Sequence, residues 1–153
     1  MLGRLYEGEV CSAAWALEVV GERWSLLIIR DALFKGVTRF SEFQRSLGIA
    51  PNILTKRLEA FVAEGIFELR GGDTEHREYV LTRKGADLMP VIIALSAWTD
   101  RWAAPNGAPV VYKHKDCGGR VSPALQCAKC GETLKPADVT AQLTKAAARA
   151  RRS

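Results

Sequence analysis

The chain is poor in the residues from which catalytic centres are usually assembled. It has only two histidines, His76 and His114. The first lies in a polar turn and the second is better explained as a ligand or strand residue, so no Ser-His or Cys-His pair with an orienting carboxylate suggests itself. Gly71-Gly72 stands between two strand-like runs, and no other glycine cluster has the spacing of a phosphate or dinucleotide loop. An enzyme is therefore not expected. No run of 18 or more apolar residues occurs, which excludes a membrane-spanning helix, and the start Met1-Leu2-Gly3-Arg4 lacks the apolar core of a secretory signal. These absences predict a cytoplasmic protein with no membrane partner. Cysteine is scarce as well, with four residues, of which Cys11 stands alone in the first 110. No internal repeat or low-complexity segment is evident.

What is present suits a single domain with a small appendage. Of the 153 residues, 48% are hydrophobic and 25% charged, enough for a packed core with a solvated surface. The net charge of +5 is unevenly placed. Residues 1–112 carry 13 Lys and Arg against 14 Asp and Glu, whereas residues 113–153 carry 9 against 3. The global excess therefore belongs to the C-terminal piece. A second, local excess lies in the middle of the chain, where Lys35, Arg39, Arg45, Lys56 and Arg57 face only Glu42 over residues 35–57. A local footprint of this kind attracts phosphates and makes affinity salt-dependent.

That local excess coincides with the stretch around which the chain is organised, Thr38 to Tyr79. Phe40, Phe43 and Leu47 are spaced for one face of a short helix, Gly48 stops it, and Pro51 begins a second where its missing N–H does no harm. In the second helix Leu54, Leu58, Phe61 and Val62 recur at three- and four-residue steps. Asn52, Thr55, Lys56 and Glu59 are left on the opposite face, and these hydrogen-bonding and charged types suit base edges and phosphates in a major groove. An ordinary helical hairpin would look the same up to this point. The sequel differs: Ile66 to Arg70, the turn Gly71-Gly72-Asp73, and Arg77 to Leu81 form a hairpin with basic residues near its tip, a wing.

Several separated motifs now occur in a recognisable order. They are Cys11; Val20-Gly21-Glu22-Arg23-Trp24-Ser25-Leu26-Leu27-Ile28; Gly36-Val37-Thr38-Arg39-Phe40-Ser41-Glu42-Phe43; Leu54-Thr55-Lys56-Arg57-Leu58; Gly65-Ile66; and Glu78-Tyr79-Val80-Leu81-Thr82-Arg83-Lys84-Gly85. Over roughly residues 10–104 the chain resembles the HxlR-type winged helix-turn-helix transcriptional regulators, of the MarR-like superfamily. The resemblance implies a homodimer that binds palindromic double-stranded operator DNA. It also implies that Cys11, at the start of the first helix, is a redox or electrophile sensor for a small-molecule or oxidant effector. Glu7 and Glu9 oppose that role by favouring the protonated thiol, and a cysteine beside Val10 and Ala13 is commonly just a small core residue.

The flanking segments read as support. Ser12 to Val20 is expected to be a mostly buried helix capped by Ser12 and ended by Gly21. Arg23 to Leu33 is a second helix, with Trp24, Leu27, Ile28 and Leu33 inward and Gly36 beyond its end. Trp15 and Trp24 are placed in the core, or alternatively around an effector pocket at a dimer interface. From Thr82, a long helix is expected from Arg83 to about Trp102, with Pro90 either kinking it or breaking it in two. Its apolar stripe of Leu88, Val91, Ile92, Leu95, Trp98 and Trp102 is broader than a small winged helix covers alone. Trp15, Val91, Leu95, Trp98 and Trp102 are therefore assigned to a homodimer interface.

Pro105 to Pro109 is a linker by composition. Val110 to Lys113 is expected to be a strand leading into His114-x2-Cys117-x9-Cys127-x2-Cys130. Each half of that pattern is a two-residue-gapped ligand pair followed by Gly, and two such pairs on a short β-hairpin suit a structural zinc site with four protein ligands. The other reading is that only Cys127 and Cys130 interact, as a disulfide or a dithiol. The Ala-rich, basic end is either a fraying helix or a disordered tail.

The expected fold is α+β, mainly α: a winged helix-turn-helix with a long C-terminal dimerisation helix and a small zinc-ribbon-like β appendage. The expected divisions are 1–104, linker 105–109, appendage 110–138 and basic tail 139–153. The expected function is DNA-binding transcriptional regulation, as a repressor. Asn52, Thr55 and Lys56 are expected to touch the major groove, and Arg39, Arg57, His76 and Arg77 phosphates or the minor groove, although Arg57 could instead turn inward to Glu42 or Glu64. The rival from another class is a protein-interaction module that uses the winged helix and the zinc ribbon, with only nonspecific DNA affinity. Weaker rivals are a sensor whose metal site is regulatory and a redox enzyme using Cys127 and Cys130.

Overall fold

The computed structural model describes residues 11–73 and 76–145. These residues are mainly helical, with one two-stranded antiparallel sheet, as expected. They divide into two compact units, 1–89 and 90–153.

In the first unit, α1 (Ser12–Val20), α2 (Ser25–Lys35), α3 (Phe40–Leu47) and α4 (Pro51–Ala63) precede the strands β1 (Phe67–Arg70) and β2 (Glu78–Leu81), and the short helix α5 (Arg83–Ala86) follows them. The core lies where α3, α4 and β1 meet. Phe43 meets Phe67 edge-on with ring centroids 6.2 Å apart, and Phe61 packs on Phe67 at 5.8 Å. Leu54, Leu58, Ile28 and Ile29 are buried with them, so the helical spacing of α4 turns its apolar row inward as the periodicity requires. Gly36 and Gly48 end α2 and α3 with φ of 66° and 62°, a left-handed conformation that glycine adopts without cost.

The N-terminal start of α3 is set by a carboxylate. Glu42 Oε2 accepts the backbone N–H of Thr38 at 3.3 Å and of Arg39 at 3.2 Å, closing a capping box that satisfies donors the helix itself leaves open. The base of the wing is set by a hydroxyl. Thr82 Oγ1 accepts the N–H of Gly85 at 3.2 Å and donates to the carbonyl of Gly65 at 2.6 Å, which ties the start of α5 to the turn before β1.

Two expectations about the supporting helices are corrected. Helix α1 has the expected bounds, but only Val20 is buried and Trp15 is exposed, because within one chain its apolar face is left uncovered. Cys11, not Ser12, holds the N-cap position, without a side-chain capping bond. In α2 the inward residues are Ser25, Ile28, Ile29 and Asp31; Trp24 and Leu27 are half-buried, and Arg23 lies over the Trp24 ring at 5.3 Å.

Asp31 is the unexpected member, a fully buried carboxylate. Its Oδ1 is 2.7 Å from Arg30 Nη2 and 3.0 Å from Lys35 Nζ, and Ser46 Oγ donates to Oδ2 at 2.5 Å. Lys35 Nζ also donates to Ser46 Oγ at 2.8 Å. The network locks α2 to the last turn of α3, so it sets the placement of the helix-turn-helix on its support. Burial alone would raise the carboxyl's pKa, but the hydrogen bonds from Ser46, Arg30 and Lys35 and the Arg30 charge outweigh it and hold the group below its ordinary value.

In the second unit, α6 (Met89–Trp102) is followed by irregular chain and a 3-10 turn at Pro136–Asp138. The single long helix from Arg83 is therefore broken, the second of the two outcomes open for Pro90. Pro90 sits in the first turn of α6, where its missing N–H removes no intrahelical bond. The boundary between the two compact units falls at Met89/Pro90. The Ser96 hydroxyl lies 3.2 Å from that of Tyr112, so α6 is joined to the start of the appendage. The Ala-rich basic end lies outside the described residues from 146 onward, as do Glu7 and Glu9.

Asp31→Asn is expected to lower stability by about 1–3 kcal/mol at neutral pH, because charge-assisted hydrogen bonds are lost at a buried site. A depressed folded-state pKa means that the carboxylate's contribution is fully present above about pH 4 and is lost as pH falls through the folded value. Urea unfolding of both proteins at neutral and at acid pH checks this; a stability gap that fails to narrow on acidification would assign the loss to packing instead.

Candidate nucleic-acid interface

Helix α4 begins at Pro51 after Ala50, and no side chain caps it. Pro51 has no N–H and that of Ile53 donates to the carbonyl of Ala50 at 3.0 Å, so the Asn52 N–H, with the helix dipole, is what the start of α4 offers a phosphate oxygen. Asn52, Thr55 and Lys56 are all exposed, Arg57 is half-buried, and the row Leu54, Leu58, Phe61 lies beneath them in the core. The Thr55 hydroxyl donates to the carbonyl of Pro51 at 2.9 Å, leaving its oxygen lone pairs and methyl group free to face a ligand. The three expected groove residues thus lie on one exposed face of one helix.

The wing carries the other expected contacts, under more constraint. Its strands pair in the register Phe67↔Leu81, Glu68↔Val80, Leu69↔Tyr79 and Arg70↔Glu78, and the N–H of Tyr79 donates to the carbonyl of Thr38 at 2.7 Å. The wing is thereby joined to the residue just before α3. At its tip Gly71 has φ 90°, and a Cβ there would lie 2.3 Å from the carbonyl oxygen of His76, so the turn requires glycine. Arg77 and His76 are exposed. His76 is engaged locally: its N–H donates to Asp73 Oδ1 at 2.9 Å, and Nδ1 is 2.7 Å from the same oxygen.

Two basic residues are less free than their sequence positions suggest. Arg39 Nε lies 3.7 Å from Glu78 Oε1, which also accepts the Thr38 hydroxyl at 3.3 Å. A phosphate would have to share Arg39 with that carboxylate. Lys35, counted in the local excess, pairs with buried Asp31. Arg45, exposed on the last turn of α3, is the basic residue that site assignment from sequence passed over. Glu78 was passed over as well, since a lone strand glutamate gives no signal of its partner.

Cys11 is exposed, as are Trp15, Val91, Leu95, Trp98 and Trp102. On α6 the row Val91, Leu95, Trp98, Trp102 follows helical spacing, with Trp98 64% and Trp102 68% exposed, while Ile92 and Ile93 are buried. Core packing of Trp15 is not what the chain shows.

The appendage departs from its expected form. No strand forms at Val110–Lys113, and only the bridges Lys113↔Arg120 and Gln126↔Thr133 occur. The segment is instead one turn made twice, thirteen residues apart, so the chain does contain an internal repeat. In the first copy the N–H of Gly118 donates to His114 O at 2.9 Å, that of His114 to Gly119 O at 2.8 Å and that of Val121 to Tyr112 O at 2.9 Å. In the second, Gly131 donates to Cys127 O at 2.8 Å, Cys127 to Glu132 O at 2.9 Å and Leu134 to Leu125 O at 2.9 Å. Gly118 and Gly131 have φ of 69° and 72°. Few identities survive between the copies beyond Cys-Gly, which is why the repeat is not visible as sequence similarity. His114 Nδ1 lies 3.3 Å from Cys117 Sγ, which also accepts the N–H of Gly119 at 3.4 Å. The Cys127 thiol is held below the usual thiol range by the backbone N–H of Cys130, then by that of Lys129 and by the Cys130 side chain, against burial. Among the described residues, no three His, Cys, Asp or Glu side chains are already gathered around one point.

A helix-turn-helix with an exposed polar face on its second helix, followed by a two-stranded wing, defines the winged-helix class of DNA-binding proteins. Within that class, residues 19–107 match the family described as HxlR-like helix-turn-helix, and the chain belongs to it. It is similar to Rv3095 of Mycobacterium tuberculosis, named as an uncharacterized HTH-type transcriptional regulator, at 42% identity over 91% of this chain and 88% of the relative. It is also similar to the crystal structure of PA1607, a candidate transcription factor, at 39% identity and TM-score 0.77, over 89% of this chain and 96% of that one. The quinone-bound form of YodB from Bacillus subtilis matches at 31% identity and TM-score 0.52, over 60% of this chain and 99% of that one. A match to 91% of the chain must take in the appendage, whereas YodB is about the length of the family match alone. The chain is therefore an HTH-type transcriptional regulator, and among its described residues no helix is long and apolar enough to cross a membrane.

Proposed function

We propose that the chain is a sequence-specific repressor that acts as a homodimer on a palindromic operator and responds to an oxidant or electrophile at Cys11. The observation that carries the DNA reading is the exposed row Asn52, Thr55 and Lys56 on a helix whose start no side chain caps, in a chain whose wing carries an exposed Arg77. Asn52 and Lys56 have the donors and acceptors that base edges require, and the helix start and Arg77 suit phosphates. A two-fold dimer presents two such helices, and its operator is then two-fold symmetric. Repression follows most simply if the bound dimer occludes promoter DNA.

The dimer reading is supported by the apolar stripe on α6, where two tryptophans, a leucine and a valine in one row face outward from the single chain. A second copy of this chain would remove that area from water. The effector reading is supported by an exposed thiol at the start of α1 and by a family relative whose structure contains a bound quinone.

Binding to duplex DNA from upstream of its own gene, titrated with salt and challenged with random competitor, tests the reading. Competitor-resistant binding to a symmetric site is expected. Weak, salt-labile binding together with a co-purifying protein would favour an interaction module instead. Asn52→Ala should cost roughly 1–3 kcal/mol and relax preference at one base position if Asn52 reads a base. If Lys56 contacts only phosphate, Lys56→Ala should weaken all sequences alike and reduce the salt slope by about one. Trp98→Glu is expected to convert a dimer into a monomer in sedimentation with unchanged helicity, and to weaken operator binding roughly tenfold or more as the second half-site is lost. Cys11→Ser should bind operator normally and lose any release by a quinone; retained release would remove Cys11 from the sensing role.

A further inference from the structure

From residue 109 to residue 145 the chain has no buried residue. Only Tyr112, Cys127 and Leu134 are even half-buried in the segment that carries the two turns. Yet both turns share the same three backbone bonds and the same left-handed glycine. A segment without a core needs another source of order. The repeat shows where it would come from: His114 corresponds to Cys127 and Cys117 to Cys130, so each copy offers two soft ligands at the same points of the same turn. All three cysteines are free thiols.

We propose that His114 Nδ1 and the sulfurs of Cys117, Cys127 and Cys130 bind one Zn2+ per chain, and that the metal clamps the two turns together. The first turn already has the geometry of half a site. With Zn–S of about 2.3 Å and Zn–N of about 2.0–2.1 Å, two ligand atoms of a tetrahedron lie about 3.5 Å apart. His114 Nδ1 and Cys117 Sγ are 3.3 Å apart, so one ion reaches both. The other ring nitrogen, Nε2, faces Asp116 Oδ2 at 3.5 Å, and a carboxylate behind the imidazole fixes the tautomer that leaves Nδ1 open to metal. In the first turn the Cys117 sulfur also accepts the backbone N–H of Gly119 at 3.4 Å. Such donors neutralise charge on a metal-bound thiolate.

The pairs are not preassembled into one site, and nine residues separate Cys117 from Cys127. Metal binding and closure of the appendage are therefore one event. Three thiols and one imidazole give a soft donor set that selects zinc over magnesium or calcium, and binding releases three thiol protons. With all four positions filled by protein, no coordination site remains for a substrate. The metal is structural. This inference does not depend on the DNA-binding reading, and its test measures metal directly.

The full chain, reduced and dialysed against chelator, is titrated with Zn2+ and separately with Co2+, and bound metal per chain is measured. One equivalent is expected, with a sulfur-to-cobalt charge-transfer band and the strong visible bands of tetrahedral cobalt. Cys117→Ser and Cys130→Ser should each abolish stoichiometric binding. His114→Cys should keep it with a stronger charge-transfer band, and Asp116→Asn should weaken it roughly 10-fold or more. Substoichiometric metal in the unaltered chain, two equivalents per chain, or one equivalent that survives Cys117→Ser would each overturn the proposal. So would recovery of Cys127 and Cys130 as a disulfide that excludes metal under reducing conditions.

Discussion

The placement of the helix-turn-helix depends on one buried carboxylate. Asp31 lies in the core-facing row of α2 and holds Ser46 on α3 while neutralised by Arg30 and Lys35. A buried charge with these partners permits little sliding between the helices, because moving α3 by a fraction of a turn would strand the carboxylate in an apolar setting. The turn at Gly48 and the start at Pro51 then carry that placement into α4. The bond from Tyr79 N–H to Thr38 O and the Glu78 contacts carry it into the wing. Helix and wing are thus referenced to the same few residues around Thr38, and an interface that reads DNA needs such a common reference, since groove contacts tolerate small errors in position only.

The electrostatics of this face are more selective than its composition suggests. Counted along the chain, residues 35–57 are strongly basic; counted in space, Lys35 neutralises Asp31 and Arg39 is shared with Glu78. Lys35 and Arg39 are exposed but paired, whereas Lys56, Arg45 and Arg77 are exposed outside these ion pairs, and Arg57, next to Lys56, is half-buried. Fewer free cations around an uncapped helix start favour recognition by directed hydrogen bonds over indiscriminate attraction to phosphates. The larger positive excess lies after residue 112, where it adds to nonspecific electrostatic attraction.

Two surfaces are left unfinished in the isolated chain, for different physical reasons. The tryptophan row on α6 is complete as a helix but lacks a covering partner, so its cost is exposed apolar area. The appendage after Tyr112 has backbone order without burial, so its deficit is cohesion. A second chain would remedy the first, and a metal ion the second. Relatives that match nearly the whole chain include the appendage, whereas YodB is matched over a length close to that of the family match alone, so the appendage is an addition to a scaffold that exists without it.

The helix-turn-helix, its inward row Leu54, Leu58 and Phe61, the glycine stops at Gly36 and Gly48 and the wing at Gly71-Gly72 were all legible in the sequence. Each depends on local rules: period, left-handed glycine and turn chemistry. The exposed identities of Asn52, Thr55 and Lys56 followed from the same period. What the sequence left ambiguous depends on contacts between distant residues. Asp31 gave no signal in the sequence because its partner Ser46 is fifteen positions away. Arg39 read as a free cation because Glu78 is on another element. Helix α1 read as buried because apolar content does not say whether the covering surface belongs to the same chain. The repeated turns share hydrogen bonds rather than side chains, so their kinship became visible only in the backbone. Sequence by itself determined the order and type of the elements, since these follow from short-range propensity and periodicity; tertiary structure alone decided which charges are paired and which apolar faces stay open, since pairing and burial are set by residues that only folding brings together.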